Sequence, residues 1–325
     1  MSLDQPTRRS LLKALAASTV AVGLGVALAP SAGAAVTSQA VAAAAATGGR
    51  TRLVPLNRIG IQLFSIRDKV SSIGFQAVFE ELGRIGYSEI EFAGYTQGQI
   101  GAITPAQIRQ LLDDNGLRAV GSHVNLNPTN IDAQLETAAI LGMPHLGQGG
   151  AIASGVSANW LAACERWNAM GEKAKAMGIK LYSHNHNGEF SFASDDPSLR
   201  IYDLLWDNLD ADKVYFEMDV YWAHVGAHQY PGFKPIDYVK RDPRRFPLLH
   251  LKDGKTNTGA TGYDIIEFGA GNINYTEFLS ATRDRGQRFG LWEQDNASST
   301  AVPPNPLNSL GNAERSYNAI SSLRG

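Results

Sequence analysis

From Arg58 onward the chain repeats one pattern eight times: a short apolar run, a polar break, then a segment whose apolar residues recur at helical spacing. The apolar runs are 59–66, 89–92, 118–124, 145–149, 180–186, 214–222, 247–252 and 289–294. The intervening segments predict helices over FQAVFEELGRIG, TPAQIRQLLDDNG, NIDAQLETAAILG, about 159–177, PSLRIYDLLWDNL, PIDYVKRD, NYTEFLSATRDRG and about 307–323. In the second helix Thr104 is placed to cap, Pro105 fits the first turn and Gly116 is a stop. Strand-to-helix alternation favours a parallel sheet with helical crossovers. Eight such units in about 265 residues suit a closed (β/α)8 TIM barrel of the α/β class, which typically takes ~250 residues. An open doubly wound sheet competes, but it calls for a glycine-rich phosphate loop after its first strand. Here that strand leads into SIRDKVSS. Residues 58–325 contain no segment that reads as a linker, so they are expected to be one barrel domain.

In such a barrel, chemistry belongs at the C-terminal ends of the strands and in the loops that follow. Strands buried on both faces are apolar, so polar residues at their ends need a reason. The first strand carries Gln62, with Arg67 and Asp68 beyond it, and the second ends near Glu91. The third runs through Ser122 and His123 into Asn125. The fifth ends His184-Asn185-His186, with Glu189 three residues on. The sixth carries Glu217, Asp219 and Trp222, then His224; the seventh carries His250, Lys252 and Asp253; the eighth ends Glu293-Gln294-Asp295. Five of the seven histidines (123, 184, 186, 224, 250) fall at these ends.

Each residue also has an ordinary reading. A strand-end histidine is more often a hydrogen-bonded core residue than a ligand. Lys252-Asp253 suits a surface ion pair, Glu91 and Glu217 suit pairs with Lys252 or Arg67, and Gln62 suits buried backbone groups. Convergence points further: strands five to eight each deliver a histidine or carboxylate to one rim. The expected metal ligands are His184, Asp219, His250 and Glu293. Nitrogen and oxygen donors of this kind suit Mn²⁺, Zn²⁺, Co²⁺ or Mg²⁺ rather than Cu(I) or iron–sulfur. The lone Cys164 excludes an intramolecular disulfide and a thiolate cluster.

Composition changes the picture in two places. Apolar types at 44 %, charged types at 18 % and a net charge of −2 describe a globular chain, not a partner of nucleic-acid backbone. Residues 1–34 stand apart. Arg8, Arg9 and Lys13 precede an apolar run from Ala14 to Leu28, and small residues follow at Ala32 and Ala34. Arg8-Arg9 followed by Leu11-Leu12-Lys13 resembles a bacterial twin-arginine signal. The alternative is a retained anchor, but the run is short, alanine-rich and glycine-broken. The expectation is export by the twin-arginine route to the periplasm or medium, with no stable membrane span after cleavage. Residues 35–57 are expected to be a disordered lead-in.

The segments GIQLFSIRD, SHNHNGEF, FEMDVYW, LLHLKDG, GAGNINY and LWEQD resemble the sugar phosphate isomerase/epimerase family. That family has the xylose isomerase-like barrel, shared with endonuclease IV and inosose dehydratase. The resemblance spans about 58–325. It implies a divalent metal held by a Glu on strand five, an Asp on six, a His on seven and a Glu on eight. The last three carry over to Asp219, His250 and Glu293. His184 stands where many members have Glu, so the fourth ligand is His184, Glu189 reaching back from its loop, or a water. The family's two-glutamate acid/base pair is then incomplete. Glu189, His123 and Lys252 are candidates for the second proton carrier beside Glu293.

The implied chemistry is proton abstraction by Glu293 next to a metal-polarised carbonyl, with Lys252 and His123 as donors to the charge that develops. Gln62, His186 and Trp222 are expected to contact a small-molecule sugar. Returning the proton gives epimerisation or isomerisation. Expelling a β-substituent makes a lyase or dehydratase acting on an oxidised (3-keto) sugar or glycoside. A non-catalytic sugar-binding barrel needs no charged cluster. A DNA-repair endonuclease needs more ligands and a basic groove. Oligomeric state is not legible.

Overall fold

The computed structural model describes residues 51–282, 289–298 and 309–325. The expected signal, most of the lead-in and the end of the helix expected at 274–286 lie outside them. Eight parallel strands form the barrel: β1 Ile59–Gln62, β2 Glu89–Phe92, β3 Arg118–Ser122, β4 His145–Gln148, β5 Lys180–His184, β6 Val214–Asp219, β7 Leu248–Leu251 and β8 Phe289–Trp292. They pair in the order β3-β2-β1-β8-β7-β6-β5-β4. A parallel bridge from His123 to Gly147 joins β3 to β4 and closes the seam. The helices are α1 Arg67–Ile85, α2 Pro105–Asp114, α3 Ile131–Leu141, α4 Ser157–Ala176, α5 Ile201–Asn208, α6 Val220–Gln229, α7 Pro235–Arg241, α8 Tyr275–Thr282 and α9 Ser309–Ser322.

Strand side chains alternate, and that sorts the core into two layers. Outward residues such as Ile59, Ile61, Ile90 and Phe92 join the large apolar layer between sheet and helices. Phe92 packs there edge-on against Phe75 and Phe79. Val120, Tyr182, Leu248 and Leu291 form a separate small cluster that fills the barrel interior. Two residues further along, the same inward parity brings Tyr182 to His184, Leu248 to His250 and Leu291 to Glu293. The interior therefore changes from apolar to charged within one layer. Each buried apolar side chain of the lower layers contributes roughly 1.5–3 kcal/mol, which offsets the cost of the polar layer above.

The α2 expectation holds in detail. Thr104 accepts from the Gln107 N–H at 3.3 Å and Gln107 returns a bond to the Thr104 N–H at 2.9 Å, with Pro105 in the first turn. Elsewhere the boundaries differ for physical reasons. The first apolar run ends as strand at Gln62; 63–66 is a 3-10 turn because the Gln62 side chain accepts from the Phe64 N–H. Helix α1 begins at Arg67 rather than Phe75, and Gly74, at φ 80°, splits it. Asp196–Arg200 pairs with Phe192–Ala193 as a hairpin, so 197–200 does not open α5. Strand β6 stops at Asp219, whose side chain caps α6 through the Trp222 N–H, so Trp222 rides on a helix.

A candidate active site at the C-terminal rim

Register across the last four strands sets the site. His184 lies opposite Glu217 between β5 and β6, Asp219 opposite His250 between β6 and β7, and His250 opposite Leu291 between β7 and β8. A register shift at Ile90/Glu91 sets Glu91 across from Gly121. Such a bulge re-aims a side chain.

The resulting cluster has two halves. In one, Lys252 Nζ stands 2.8 Å from Asp219 Oδ2, 2.9 Å from Glu293 Oε2 and 2.9 Å from Asp295 Oδ2. In the other, Glu217 Oε2 stands 2.7 Å from His123 Nε2, 3.1 Å from His184 Nδ1 and 3.2 Å from His250 Nε2. His250 links the halves: its Nδ1 is 2.7 Å from Glu293 Oε2 and its Nε2 is 2.7 Å from Glu91 Oε2. Glu91 Oε1 accepts from the Tyr182 hydroxyl. All of these side chains are buried except His123, which keeps 14 % of its side chain exposed, and Asp295, which is half-buried.

Charge follows the pairing. Burial opposes the imidazolium of His250, but Glu217, Glu293 and Glu91 outweigh it and hold His250 well above the usual imidazole range. His123 is raised in the same way, against burial, by Glu91 and Glu217. His184 differs: burial dominates and lowers it to about 3, so it is neutral with a free electron pair. Against burial, Lys252 and His250 hold Glu293 well below the usual carboxylate range, and the same two hold Asp219 low. His250 and His123 lower Glu217 likewise. Burial and the Glu217 charge raise Glu91.

The expected ligands come together. One donor atom from each of His184, Asp219, His250 and Glu293 lies within 4.8 Å of the others. Donors at about 2.0–2.2 Å from a tetrahedral dication stand roughly 3.3–3.6 Å apart, so the four would draw together to close on an ion. An overlapping set, His123, His184, Glu217 and His250, meets the same 4.8 Å limit. The residues fit a divalent cation. Glu217 Oε1 is a buried acceptor without a hydrogen-bond partner. The carboxylates that keep His250 protonated would also hold a dication in exchange for that proton.

Other expected residues sit differently. His186 lies at the rim, with ring centroids 5.0 Å from His184 and 5.6 Å from Trp222. Trp222 faces Lys252, whose Nζ is 5.5 Å from the ring centre. Gln62 is spent on backbone, accepting from Phe64 N–H at 3.1 Å and donating to Phe92 O at 3.4 Å. Glu189 accepts from the His186 N–H at 2.8 Å and makes no described contact with the cluster; burial raises its pKa. His224, grouped with the rim by its position in sequence, turns away. Its Nδ1 donates to Val220 O, and its ring meets Tyr263 and Phe278. Asp253 shapes the next loop by accepting from Gly254, Gly269 and Gly271.

Glu91, Glu217 and Asp295 belong to the cluster although sequence reasoning left them outside the expected site. Their signal was a carboxylate on or just beyond an apolar strand. Their partners are not those expected: Glu91 and Glu217 take histidines, and Lys252 takes three other carboxylates. Tyr182 had no signal, since a tyrosine in an apolar strand reads as core.

Comparison with known proteins agrees with the fold. A family model described as xylose isomerase-like TIM barrel matches residues 68–305. No curated protein matches the chain. Among solved structures, a sugar phosphate isomerase/epimerase from Parabacteroides distasonis is 24 % identical over 82 % of this chain and 98 % of its own, with a TM-score of 0.67. A second from the same organism is 23 % identical over 85 % and 96 %, at 0.64. A probable 3-DHS dehydratase from Bacillus anthracis is 12 % identical over 82 % and 99 %, at 0.58. At these identities the likeness is one of fold.

Proposed function

The chain belongs to the xylose isomerase-like TIM barrel family, and on that premise we propose that it is a divalent-metal-dependent isomerase or epimerase of a keto-sugar or sugar derivative. The observation that carries this reading is the buried set of His184, Asp219, His250 and Glu293, with donors within 4.8 Å of one another at the catalytic end of the barrel. A bound dication supplies a Lewis acid that polarises a substrate carbonyl and acidifies the neighbouring C–H.

The remaining work falls to side chains. Glu293 is held ionised by Lys252, the state a base needs, and accepts the proton. Lys252, fixed as an ammonium by three carboxylates, stabilises negative charge on a substrate oxygen. His123, the ring in the cluster that keeps some exposure, is the second proton carrier. Trp222 and His186 flank the entrance and contact the sugar face. The same arrangement supports a lyase or dehydratase on an oxidised sugar. The observation that favours this second reading is His123, which keeps some exposure at the rim beside Glu217 at 2.7 Å and whose basicity Glu91 and Glu217 raise, so that it is placed to give a proton to a leaving oxygen.

The test is metal analysis of the purified protein together with turnover of keto-sugars and 3-keto-glycosides in D₂O. One dication per chain, loss of turnover on chelation and deuterium entering beside the carbonyl are expected. Glu293→Gln should lower turnover by roughly 10²–10⁴-fold with the fold retained. Protein without a stoichiometric dication whose activity survives chelation would overturn the reading. Product type separates isomerisation from elimination.

A further inference from the structure

We infer that Glu91 and Glu217 are positioning residues: each holds one nitrogen of a histidine, so that His250 and His184 turn their other nitrogens to an ion on the Asp219–Glu293 side of the cluster. This rests on the cluster being a dication site and goes further, choosing between two overlapping donor sets.

A ring nitrogen that donates to a carboxylate leaves the opposite nitrogen as the ligating one. Glu91 Oε2 lies 2.7 Å from His250 Nε2, which makes Nδ1 the ligand atom. That atom is 2.7 Å from Glu293 Oε2 and 3.8 Å from Asp219 Oδ2. Glu217 Oε2 lies 3.1 Å from His184 Nδ1, which leaves Nε2 as the ligand atom of His184. Acceptor supply points the same way. Glu217 Oε2 already meets three imidazole nitrogens at 2.7–3.2 Å, whereas Asp219 Oδ2 meets Lys252 Nζ at 2.8 Å and has His250 Nδ1 no nearer than 3.8 Å. An ion displaces fewer close partners at the Asp219 oxygen.

Glu91 is itself held. The Tyr182 hydroxyl donates to its Oε1, and Tyr182 is fully buried. Two glycines on adjacent staves make the room. A Cβ on Gly121 would stand 3.1 Å from the Tyr182 oxygen and 3.3 Å from Glu91 Oε1, and one on Gly147 would run into the Tyr182 ring. The chain of support runs from Tyr182 to Glu91 to His250, and Tyr182 belongs to neither donor set.

The experiment measures Zn²⁺ affinity of the full chain by competition with a chromophoric chelator, and records the absorption of the Co²⁺ form. Asp219→Asn should abolish one-to-one binding. Glu217→Gln and Glu91→Gln should keep one ion per chain, weaken it about 10–100-fold and shift the Co²⁺ bands. Tyr182→Phe, which removes one oxygen, should weaken binding in the same direction and serves if the Glu91 variant fails to fold. A purely structural role would lower the melting temperature and leave the Co²⁺ bands in place, and that result overturns the inference. So does loss of the ion in Glu217→Gln with retention in Asp219→Asn. If the unaltered chain binds neither metal, the dication site itself falls, and the inference with it; if it binds and the Glu91 and Tyr182 variants match it, only the inference falls.

Discussion

Two buried residues away from the rim titrate in opposite directions, and each makes the stability of the fold depend on pH. Burial lowers His145 from 6.5 to about 4, with its Nδ1 held by Val120 O at 2.8 Å. A folded pKa below the unfolded one contributes stability that is present above pH 6.5 and lost as pH falls through about 4. Glu89 is the reverse: burial raises it from 4.5 to about 7 despite Arg58 and Arg118. Its contribution is present below pH 4.5 and lost as pH rises through about 7. Each is on the order of 3 kcal/mol. Thermal melts from pH 4 to 8 should show Glu89→Gln gaining relative to the parent as pH rises, and His145→Gln losing less than the parent as pH falls. Parallel curves for parent and variant would refute the assignment at that residue. Neither titration was legible in the sequence, because a Glu opening a strand gives no sign of whether its side chain enters the barrel.

Helices and strands carry local instructions of different quality. The capping box at Thr104 and Gln107 is complete within four residues, so the α2 start was readable and the structure shows both bonds. Thr104→Ala should cost about 1 kcal/mol, seen as a lower denaturant midpoint with an unchanged slope; an unchanged midpoint would show the cap to be idle. Asp219 couples element to site: its Oδ1 caps α6 through the Trp222 N–H at 2.9 Å while its Oδ2 faces Lys252. The start of a helix thus fixes the aim of a candidate ligand. The hairpin before α5 was missed because its strands are short. Asp196–Arg200 becomes strand through pairing with Phe192–Ala193, a partner that periodicity within the segment cannot reveal.

At the scale of the molecule, an ion that binds only the folded barrel adds to its stability, by ~2.7 kcal/mol at one hundred times its Kd. Added Zn²⁺ should raise the melting temperature and a chelator should reverse it, whereas Asp219→Asn should respond to neither. The amino-terminal segment is tested in the cell: replacing Arg8-Arg9 by Lys-Lys should hold the protein in the cytoplasm, and undiminished export would remove the twin-arginine reading. The order of apolar runs and helical stripes was enough to determine the eight-fold strand–helix rhythm and the barrel, because both follow from side-chain period over ten or twenty residues. It also marked the polar strand ends that came together, His184, Asp219, His250, Lys252 and Glu293. Only the closed sheet decided which polar residues share the interior, that Glu91 reaches His250 across 159 positions of chain, and that His224 turns outward. Such contacts depend on register and closure, which are properties of paired strands and have no counterpart in any single stretch of sequence.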